Sequence, residues 1–208
     1  NKKGFMDSKK DVFGLVLAGG QSRRMGTNKS VKKISGNKLI DLVVKRAQKQ
    51  VDKIVVNSNI TINFNAAEKV EIIPDYLQGN LGPLVGILSG MKWAKKQKKE
   101  YKWLASFPVD SPFFPDNLVG KFLDCYSDEE VIIAESNKRI HPVFSLWNLT
   151  LANSLEEELL KGIRKIEEFT KKFKTRVVNF SVISYDPFFN INDENDLSIA
   201  KKIYQDNF

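Results

Sequence analysis

A string of thirteen residues near the start of the chain combines the backbone and side chains needed to bind a phosphate chain. It begins at Leu17, where an apolar run breaks into Gly19 and Gly20. Glycines let backbone N–H groups approach an anion closely, and consecutive amides form a concave anion site. Three basic side chains that can bind phosphate oxygens follow: Arg23, Arg24 and Lys29. The string predicts a triphosphate site, although it lacks the spacing of a P-loop or a Rossmann fingerprint.

A single carboxylate at the end of a later apolar run is a candidate metal ligand. Asp110 follows the run that ends at Phe107, and Pro108 and Pro112 flank it. Because proline fixes φ, we expect a stiff loop that aims this carboxylate outward. Mg²⁺ takes one or two protein oxygens and completes its coordination with phosphate and water. Asp110 is therefore a candidate Mg²⁺ ligand, and the alternative is a turn residue that bonds to nearby backbone.

Further polar residues follow other predicted strands. Asn57 ends an apolar run, and Asp75 precedes a glycine-rich loop at residues 79–86. An amide and a carboxylate at these places can pair with a base edge or a ribose, although both are also ordinary loop residues. The single histidine, His141, stands just before a predicted strand. It fits a site residue and a strand-edge residue without a catalytic task equally well.

Apolar runs of strand length alternate with segments of helical period along the chain, which is typical of α/β folds. The runs predict strands at residues 12–18, 54–57, 71–73, 103–107, 131–134, 143–146 and 177–180. The helical periods predict helices at residues 40–51, 84–91, 115–125, 149–161 and 194–204. We expect Gly162 to be a left-handed C-cap and Asp193 to cap the last helix.

These elements predict a single-domain α/β fold with an open, mostly parallel sheet and helices on both faces. In this prediction residues 1–10 form a basic N-terminal tail and residues 11–208 form the domain. Ligands bind at the carboxyl ends of the strands in sheets of this type. The candidate residues stand at four such ends, directly after Ala18, Asn57, Ile73 and Phe107. They are therefore expected to share one site.

Composition narrows the class of protein further. The 208 residues include one cysteine and one histidine, which excludes an internal disulfide and a metal centre built from several histidines or cysteines. The net charge of +8 favours anionic ligands such as nucleotides. The basic residues show no interleaved aromatic pattern, which argues against nucleic acid. No apolar run has the length of a membrane span and we find no export signal, so we expect a cytoplasmic protein without membrane contact.

Five strings occur along the chain in a fixed order: residues 17–29, 82–86, 108–112, 141–143 and 189–192. In this order, and over about residues 13–200, they resemble the molybdenum cofactor guanylyltransferases. The opening string alone is shared by the wider group of nucleotidyltransferases with this Rossmann-like fold. The combined set is what points to molybdopterin as the acceptor.

The resemblance implies a reaction and a set of site residues. GMP would pass from GTP to molybdenum-bound molybdopterin with release of pyrophosphate, giving the guanine dinucleotide form of the molybdenum cofactor. Lys29 and Asp110 would be catalytic, Asp110 would hold Mg²⁺, and Asn190 and Asn192 match positions near the metal. Nucleotide binding would fall to Leu17, Ala18, Gly19, Gly20, Arg23, Lys29, Asn57, Asp75 and Asp110. Proteins that deliver molybdopterin or mature molybdenum enzymes are implied partners.

Other functions remain open from the sequence. One is CMP transfer to the same acceptor, although Gly20 after Gly19 goes with guanine in the resembling family and Ala-Gly goes with cytosine. Another is a carrier that binds a nucleotide or a pterin without turnover, which the presence of Lys29 and Asp110 disfavours. A sugar-phosphate nucleotidyltransferase is a third, and there we would expect a longer chain with a second domain.

Overall fold

The computed structural model describes residues 10–19, 30, 32–65, 70–79 and 81–208. The strands in this part of the chain are β1 (Val12–Leu17), β2 (Lys33–Ile34), β3 (Asn37–Lys38), β4 (Lys53–Asn57), β5 (Glu71–Ile73), β6 (Trp103–Pro108), β7 (Val131–Ser136), β8 (Arg139–Asn148) and β9 (Thr175–Asn179). The helices are α1 (Leu39–Ala47), α2 (Pro83–Ala94), α3 (Leu118–Cys125), α4 (Ala152–Leu160), α5 (Ile166–Thr170) and α6 (Glu194–Asn207).

Seven strands form one open sheet in the order β5-β4-β1-β6-β8-β7-β9. Pairing is parallel from β5 through β4 and β1 to β6, and β7 pairs parallel with β9. In contrast, β8 runs antiparallel to both of its neighbours, β6 and β7. The predicted mostly parallel sheet is confirmed, and β2 and β3 form a separate short hairpin.

Helices cover both faces of the sheet, as predicted. Because side chains alternate across a strand, β1 sends Val12 and Val16 to one face and Phe13 and Leu15 to the other. The first face packs against α1 and α3, and the second packs against α2, α4 and α5. A third cluster joins α6 to β2 and to the segment around Phe113. Within the described residues, no helix combines the length and the apolar character needed to cross a bilayer.

Several predicted boundaries are corrected. β8 begins at Arg139 instead of Val143, and α3 begins at Leu118 instead of Pro115. The helix predicted over residues 149–161 is a 3₁₀ turn followed by α4. The sequence did not predict the β2–β3 hairpin or α5, because elements of two to five residues are too short to show a period.

The two predicted caps are confirmed. Gly162 follows α4 with φ +102°, and the Asp193 side chain accepts a hydrogen bond from Asp196 N at 2.9 Å. A tight turn that was not predicted joins β7 to β8. Its residues Asn137 and Lys138 both have positive φ, 47° and 61°, which is the backbone of a hairpin turn that follows the twist of its strands.

Candidate active site

A cleft of about 970 Å³ opens at the carboxyl ends of β1, β4, β5 and β6. Parallel pairing brings these ends together: Ala18 N donates to Asn57 O at 3.0 Å, and Val109 N donates to Leu17 O at 3.1 Å. Six of the predicted site residues line the cleft: Leu17, Ala18, Gly19, Asn57, Asp75 and Asp110. The other three, Gly20, Arg23 and Lys29, lie outside the described residues.

The strand-end wall of the cleft consists of residues 17–19, Asn57, Asn59 and Asp75. Asn57 is only 3% exposed, and its Nδ2 donates to Ile73 O at 3.3 Å and to Asp75 Oδ1 at 3.0 Å. Asn59 Nδ2 donates to Asp75 Oδ2 at 2.8 Å, and Asn59 Oδ1 accepts from Asp75 N at 2.8 Å. Both carboxylate oxygens are thus fixed by amides. Each still has a lone pair for a donor on a ligand.

Helix α2 braces this wall from behind through Gly86. A Cβ at Gly86 would lie 2.5 Å from Asn57 Oδ1 and 2.5 Å from Leu17 Cδ2, so a side chain there has no room. Ser89 on the same helix accepts a hydrogen bond from Tyr76 N at 2.8 Å. The helix therefore holds the Asn57 amide and the loop after Asp75 in place.

Asp110 lies in the predicted loop, two residues after the end of β6, and the residue is half-buried. Its carbonyl oxygen accepts a hydrogen bond from Ile191 N at 2.9 Å, and the neighbouring Asn190 and Asn192 also line the cleft. The described residues contain no group of three or more His, Cys, Asp or Glu side chains that could hold a metal ion. One carboxylate does fit Mg²⁺ that arrives with a triphosphate, because phosphate oxygens and water complete its shell.

A second wall of different character faces the cleft from β8. This aromatic wall consists of residues 139–144 and, from the segment at residues 186–189, of Asp186, Phe188 and Phe189. The Phe188 ring lies 4.8 Å from the rings of both His141 and Phe144. The sequence singled out His141 as a candidate, and residues 141–143 and Phe189 as parts of two strings without a stated role, but not Arg139, Ile140, Phe144, Asp186 or Phe188. The signal that could have pointed to them is the Phe188-Phe189 pair directly before Asn190.

A chain of hydrogen bonds holds His141. Its Nε2 lies 2.7 Å from Ser136 Oγ, and Ser136 Oγ donates to Asp186 Oδ1 at 2.7 Å. Asp186 Oδ1 also accepts from Phe188 N at 2.9 Å. The chain joins the end of β7 to the start of β8 and to the segment before α6.

Burial is the main influence on the His141 imidazole and lowers its pKa below the usual range. Asp186 and Glu135 oppose this shift, and Arg139 adds to it. Because the net shift is downward, the imidazole is neutral at pH 7.

A β-bulge in β8 shapes the aromatic wall. Residues 142–144 have no partner on β7, because the register jumps between Ile133 and Ala134. The first two bulge carbonyls accept hydrogen bonds from Ser145 Oγ at 2.8 Å and from Ser106 Oγ at 2.6 Å. In the bulge, backbone carbonyls of β8 therefore bond to serine hydroxyls instead of to the backbone of β7, at the place where β8 borders the cleft.

Known proteins resemble the chain over nearly its whole length. The family described as MobA-like NTP transferase domain matches residues 14–175. A molybdenum cofactor guanylyltransferase of Rhizobium rhizogenes is 35% identical over 96% of this chain and 95% of its own. A protein of the same name from Bradyrhizobium sp. is 36% identical over 92% of each chain.

A solved structure has the same fold. Molybdopterin-guanine dinucleotide biosynthesis protein A from Archaeoglobus fulgidus superimposes with a TM-score of 0.72 at 23% identity, over 93% of this chain and 99% of that one. The family match begins within β1 and includes Asn57, Asp75, Asp110 and His141. The chain therefore belongs to the MobA-like NTP transferases and, within them, to the family of the molybdenum cofactor guanylyltransferases.

Proposed function

We propose that the protein transfers GMP from GTP to molybdenum-bound molybdopterin and releases pyrophosphate. The observation that carries the proposal is the meeting of Asp110 and the Asn57–Asp75 pair at one cleft, beside residues 17–19. The names of the relatives support guanine as the base and molybdopterin as the acceptor. The product is the guanine dinucleotide form of the molybdenum cofactor.

The strand-end wall would bind the guanine nucleotide. Backbone groups of residues 17–19 and the Asn57 amide would contact the base and the ribose. The Asp75 carboxylate, held by two amides, would accept hydrogen bonds from N–H or O–H donors of the nucleotide. Gly20, Arg23 and Lys29 follow directly in the sequence, and their charge and backbone chemistry suit the triphosphate.

The reaction needs no covalent intermediate with the protein. A terminal phosphate oxygen of molybdopterin forms a bond to the α-phosphorus of GTP. The bond from this phosphorus to the bridging oxygen breaks, and pyrophosphate leaves with the electron pair. The attacking oxygen of a phosphate monoester is anionic near pH 7, so no side chain has to remove a proton. The protein's tasks are alignment of the two substrates and neutralisation of charge.

Charge neutralisation would fall to the cationic side chains of Lys29 and Arg23 and to a metal ion held by Asp110. When bound at Asp110, Mg²⁺ would neutralise negative charge on the phosphate oxygens. The loop that carries Asp110 is tied to β1 through Val109 N and to residues before α6 through Ile191 N. These backbone bonds fix the loop between the two walls, where the phosphates of both substrates would meet.

The acceptor would lie against the aromatic wall. In-line attack places the nucleophile opposite the departing pyrophosphate. With guanine on the strand-end wall, the aromatic wall remains for the acceptor, together with lining residues of the glycine-rich loop such as Leu81, Gly82 and Pro83. Its phenylalanines provide an apolar surface for a flat heterocycle.

A nucleotide panel tests the proposal. Calorimetry should show that GTP binds more tightly than CTP or ATP, and only with Mg²⁺ present. Molybdopterin and GTP together should then give pyrophosphate at a rate proportional to enzyme. CTP bound as tightly as GTP would contradict the guanine assignment. GTP binding without pyrophosphate release would favour the carrier.

A further inference from the structure

The Ser136 hydroxyl determines which nitrogen of His141 carries a proton. A serine hydroxyl has one hydrogen to donate, and a carboxylate can only accept. Ser136 Oγ lies 2.7 Å from Asp186 Oδ1 and 2.7 Å from His141 Nε2. Because its hydrogen goes to Asp186, the short contact with His141 requires a hydrogen on Nε2. A neutral His141 then has an unprotonated Nδ1.

Asp186 is itself held so that it keeps this role. Its Oδ1 accepts the backbone N–H of Phe188 at 2.9 Å as well as the Ser136 hydroxyl. Ser136 is fully buried at the end of β7, so water does not compete for its hydroxyl. The pair therefore fixes the His141 tautomer through geometry.

The other nitrogen of His141 is open to the cleft. Nδ1 makes no hydrogen bond with any described residue. Among the described side chains, Trp93 Nε1 is the one polar atom that is both enclosed and without a partner, so His141 Nδ1 is not enclosed. His141 is half-buried and lines the cleft. Its Nδ1 is thus a hydrogen-bond acceptor that a ligand can reach.

Rings and other apolar side chains surround much of this acceptor, and Asp186, Arg139 and Glu135 supply charge nearby. The Phe188 ring lies 4.8 Å from the imidazole, and Ile140, Pro142 and Phe144 belong to the same wall. Apolar rings beside a neutral acceptor suit a flat heterocycle that presents an N–H group at its edge. A pterin ring has such an edge, with a ring N–H beside an exocyclic amine.

The position of His141 separates it from the strand-end wall. Two strands, β1 and β6, lie between β4 and β8 in the sheet. Three strand spacings amount to about 14 Å, which is too far for one base to contact Asn57 and His141 together. Asp110 follows β6, the strand next to β8, so the phosphates would bind between Asn57 and His141.

We propose that His141 binds the acceptor substrate by accepting a hydrogen bond from a pterin N–H at Nδ1, and that Ser136 and Asp186 are positioning residues that keep this nitrogen unprotonated. The inference rests on the proposed function, because it takes the pterin as acceptor. It adds a residue that selects the acceptor without touching GTP.

The tautomer can be measured directly, because the chain has a single histidine. In ¹⁵N-histidine-labelled protein, long-range nitrogen–proton spectra should show the hydrogen on Nε2 near pH 7. Ser136→Ala should remove this preference. Asp186→Asn should keep it, since the amide oxygen still accepts from Ser136. A hydrogen on Nδ1 in the parent protein would overturn the proposal, whatever the enzyme's activity.

Binding can be followed in the same parent protein. Molybdopterin released from a molybdenum enzyme should shift the Nδ1 resonance, and GTP alone should leave it in place. A shift with GTP and none with molybdopterin would contradict the assignment. Neither spectrum requires turnover, so a failure of the proposed GMP transfer is seen separately as an absence of pyrophosphate.

Kinetics separates a binding role from a structural one. His141→Gln keeps an amide near Ser136 and lacks Nδ1, so the KM for molybdopterin should rise about tenfold while kcat and the KM for GTP stay close to the parent. His141→Asn places an amide oxygen near the Nδ1 position and should recover part of the loss. Asn179→Ala, which removes an exposed bond to Glu135, is the control. A rise in the KM for GTP, or no change for molybdopterin, would refute the proposal.

Discussion

The two walls of the cleft are built in different ways. The strand-end wall stands at the carboxyl ends of parallel strands, and its Asn57, Asn59 and Asp75 side chains hold one another. The aromatic wall stands at the start of the antiparallel strand β8 and on residues 186–189, with one histidine among phenylalanines. The first wall suits a polar nucleotide, and the second suits a flat ring. Variants of one wall should therefore affect one substrate only.

Asp110 lies between the walls, so its loss should affect both substrates and have the largest effect. Asp110→Asn should lower kcat by about two to three orders of magnitude, because an amide is a poor Mg²⁺ ligand and metal neutralisation contributes several kcal/mol. The melting temperature should change little. Asp124→Asn, an exposed carboxylate on α3, is the matched control. If Asp110→Asn melts early and turns over at the parent rate, Asp110 only braces its loop.

Asp75 tests the strand-end wall alone. Asp75→Asn should raise the KM for GTP by about 10- to 100-fold, because it removes a charged acceptor and faces the Asn57 and Asn59 donors with a further amide. The KM for molybdopterin should stay near the parent value in steady-state assays. Glu71→Gln, at the exposed start of β5, the strand that precedes Asp75, should leave both KM values unchanged. Equal effects on both substrates would break the division between the walls.

Gly86 tests whether the strand-end wall depends on the close contact of helix α2 with Asn57 and Leu17. Gly86→Ala should raise the KM for GTP by about tenfold, since the added Cβ must displace the Asn57 amide or Leu17. Gly90→Ala on the same helix is a matched overpacking control. Its Cβ would lie 2.9 Å from Leu104 Cδ1, within the core.

Both glycine variants should lower the melting temperature, and only Gly86→Ala should weaken GTP binding. Weakened GTP binding in Gly90→Ala as well would mean that general loosening of the fold, and not the Asn57 contact, controls affinity.

The smallest effect should be a pH dependence confined to the aromatic wall. Burial lowers the pKa of His141. The KM for molybdopterin should therefore rise only as pH falls below about 6.5, the ordinary pKa of a histidine. The unfolded chain binds this proton more readily, so the free energy of unfolding also decreases as pH falls through that range. The KM for GTP should show no dependence on the protonation of His141.

Phosphate groups of the substrates also titrate near pH 6. His141→Gln keeps that titration and lacks the imidazole, so the difference between its pH profile and that of the parent isolates His141. Identical profiles would place Nδ1 outside the acceptor site.

The strand-end wall could be predicted from the sequence because its signals are local. Four of the predicted apolar runs end at or just before a candidate residue, such as Asn57 or Asp110, and parallel strands bring such ends to one edge. The aromatic wall could not be predicted in the same way. A local pattern does not specify that β8 runs antiparallel, which brings its first residues to the cleft.

The start of β8 was also predicted wrongly from the sequence. Pro142 interrupts the apolar run, so the predicted strand began one residue later, at Val143, whereas β8 begins at Arg139. Asp186 and Phe188 lie in an irregular segment without a period, and only tertiary contacts bring them to His141. The residues whose contribution depends on distant partners were therefore the ones missed.

The tight turn at Asn137 and Lys138 has a consequence for the order of folding. It joins β7 and β8 directly, so Ser136 and His141 meet in a hairpin, an element that forms in about 1–10 μs. The bonds from Ala18 to Asn57 and from Val109 to Leu17 must close loops of about 40 and about 90 residues. Contacts with such separation form slowly. We expect the hairpin part of the aromatic wall, with Ser136 and His141, to form early in folding. The contacts with Asp186, about 50 residues away, and the GTP site should assemble later.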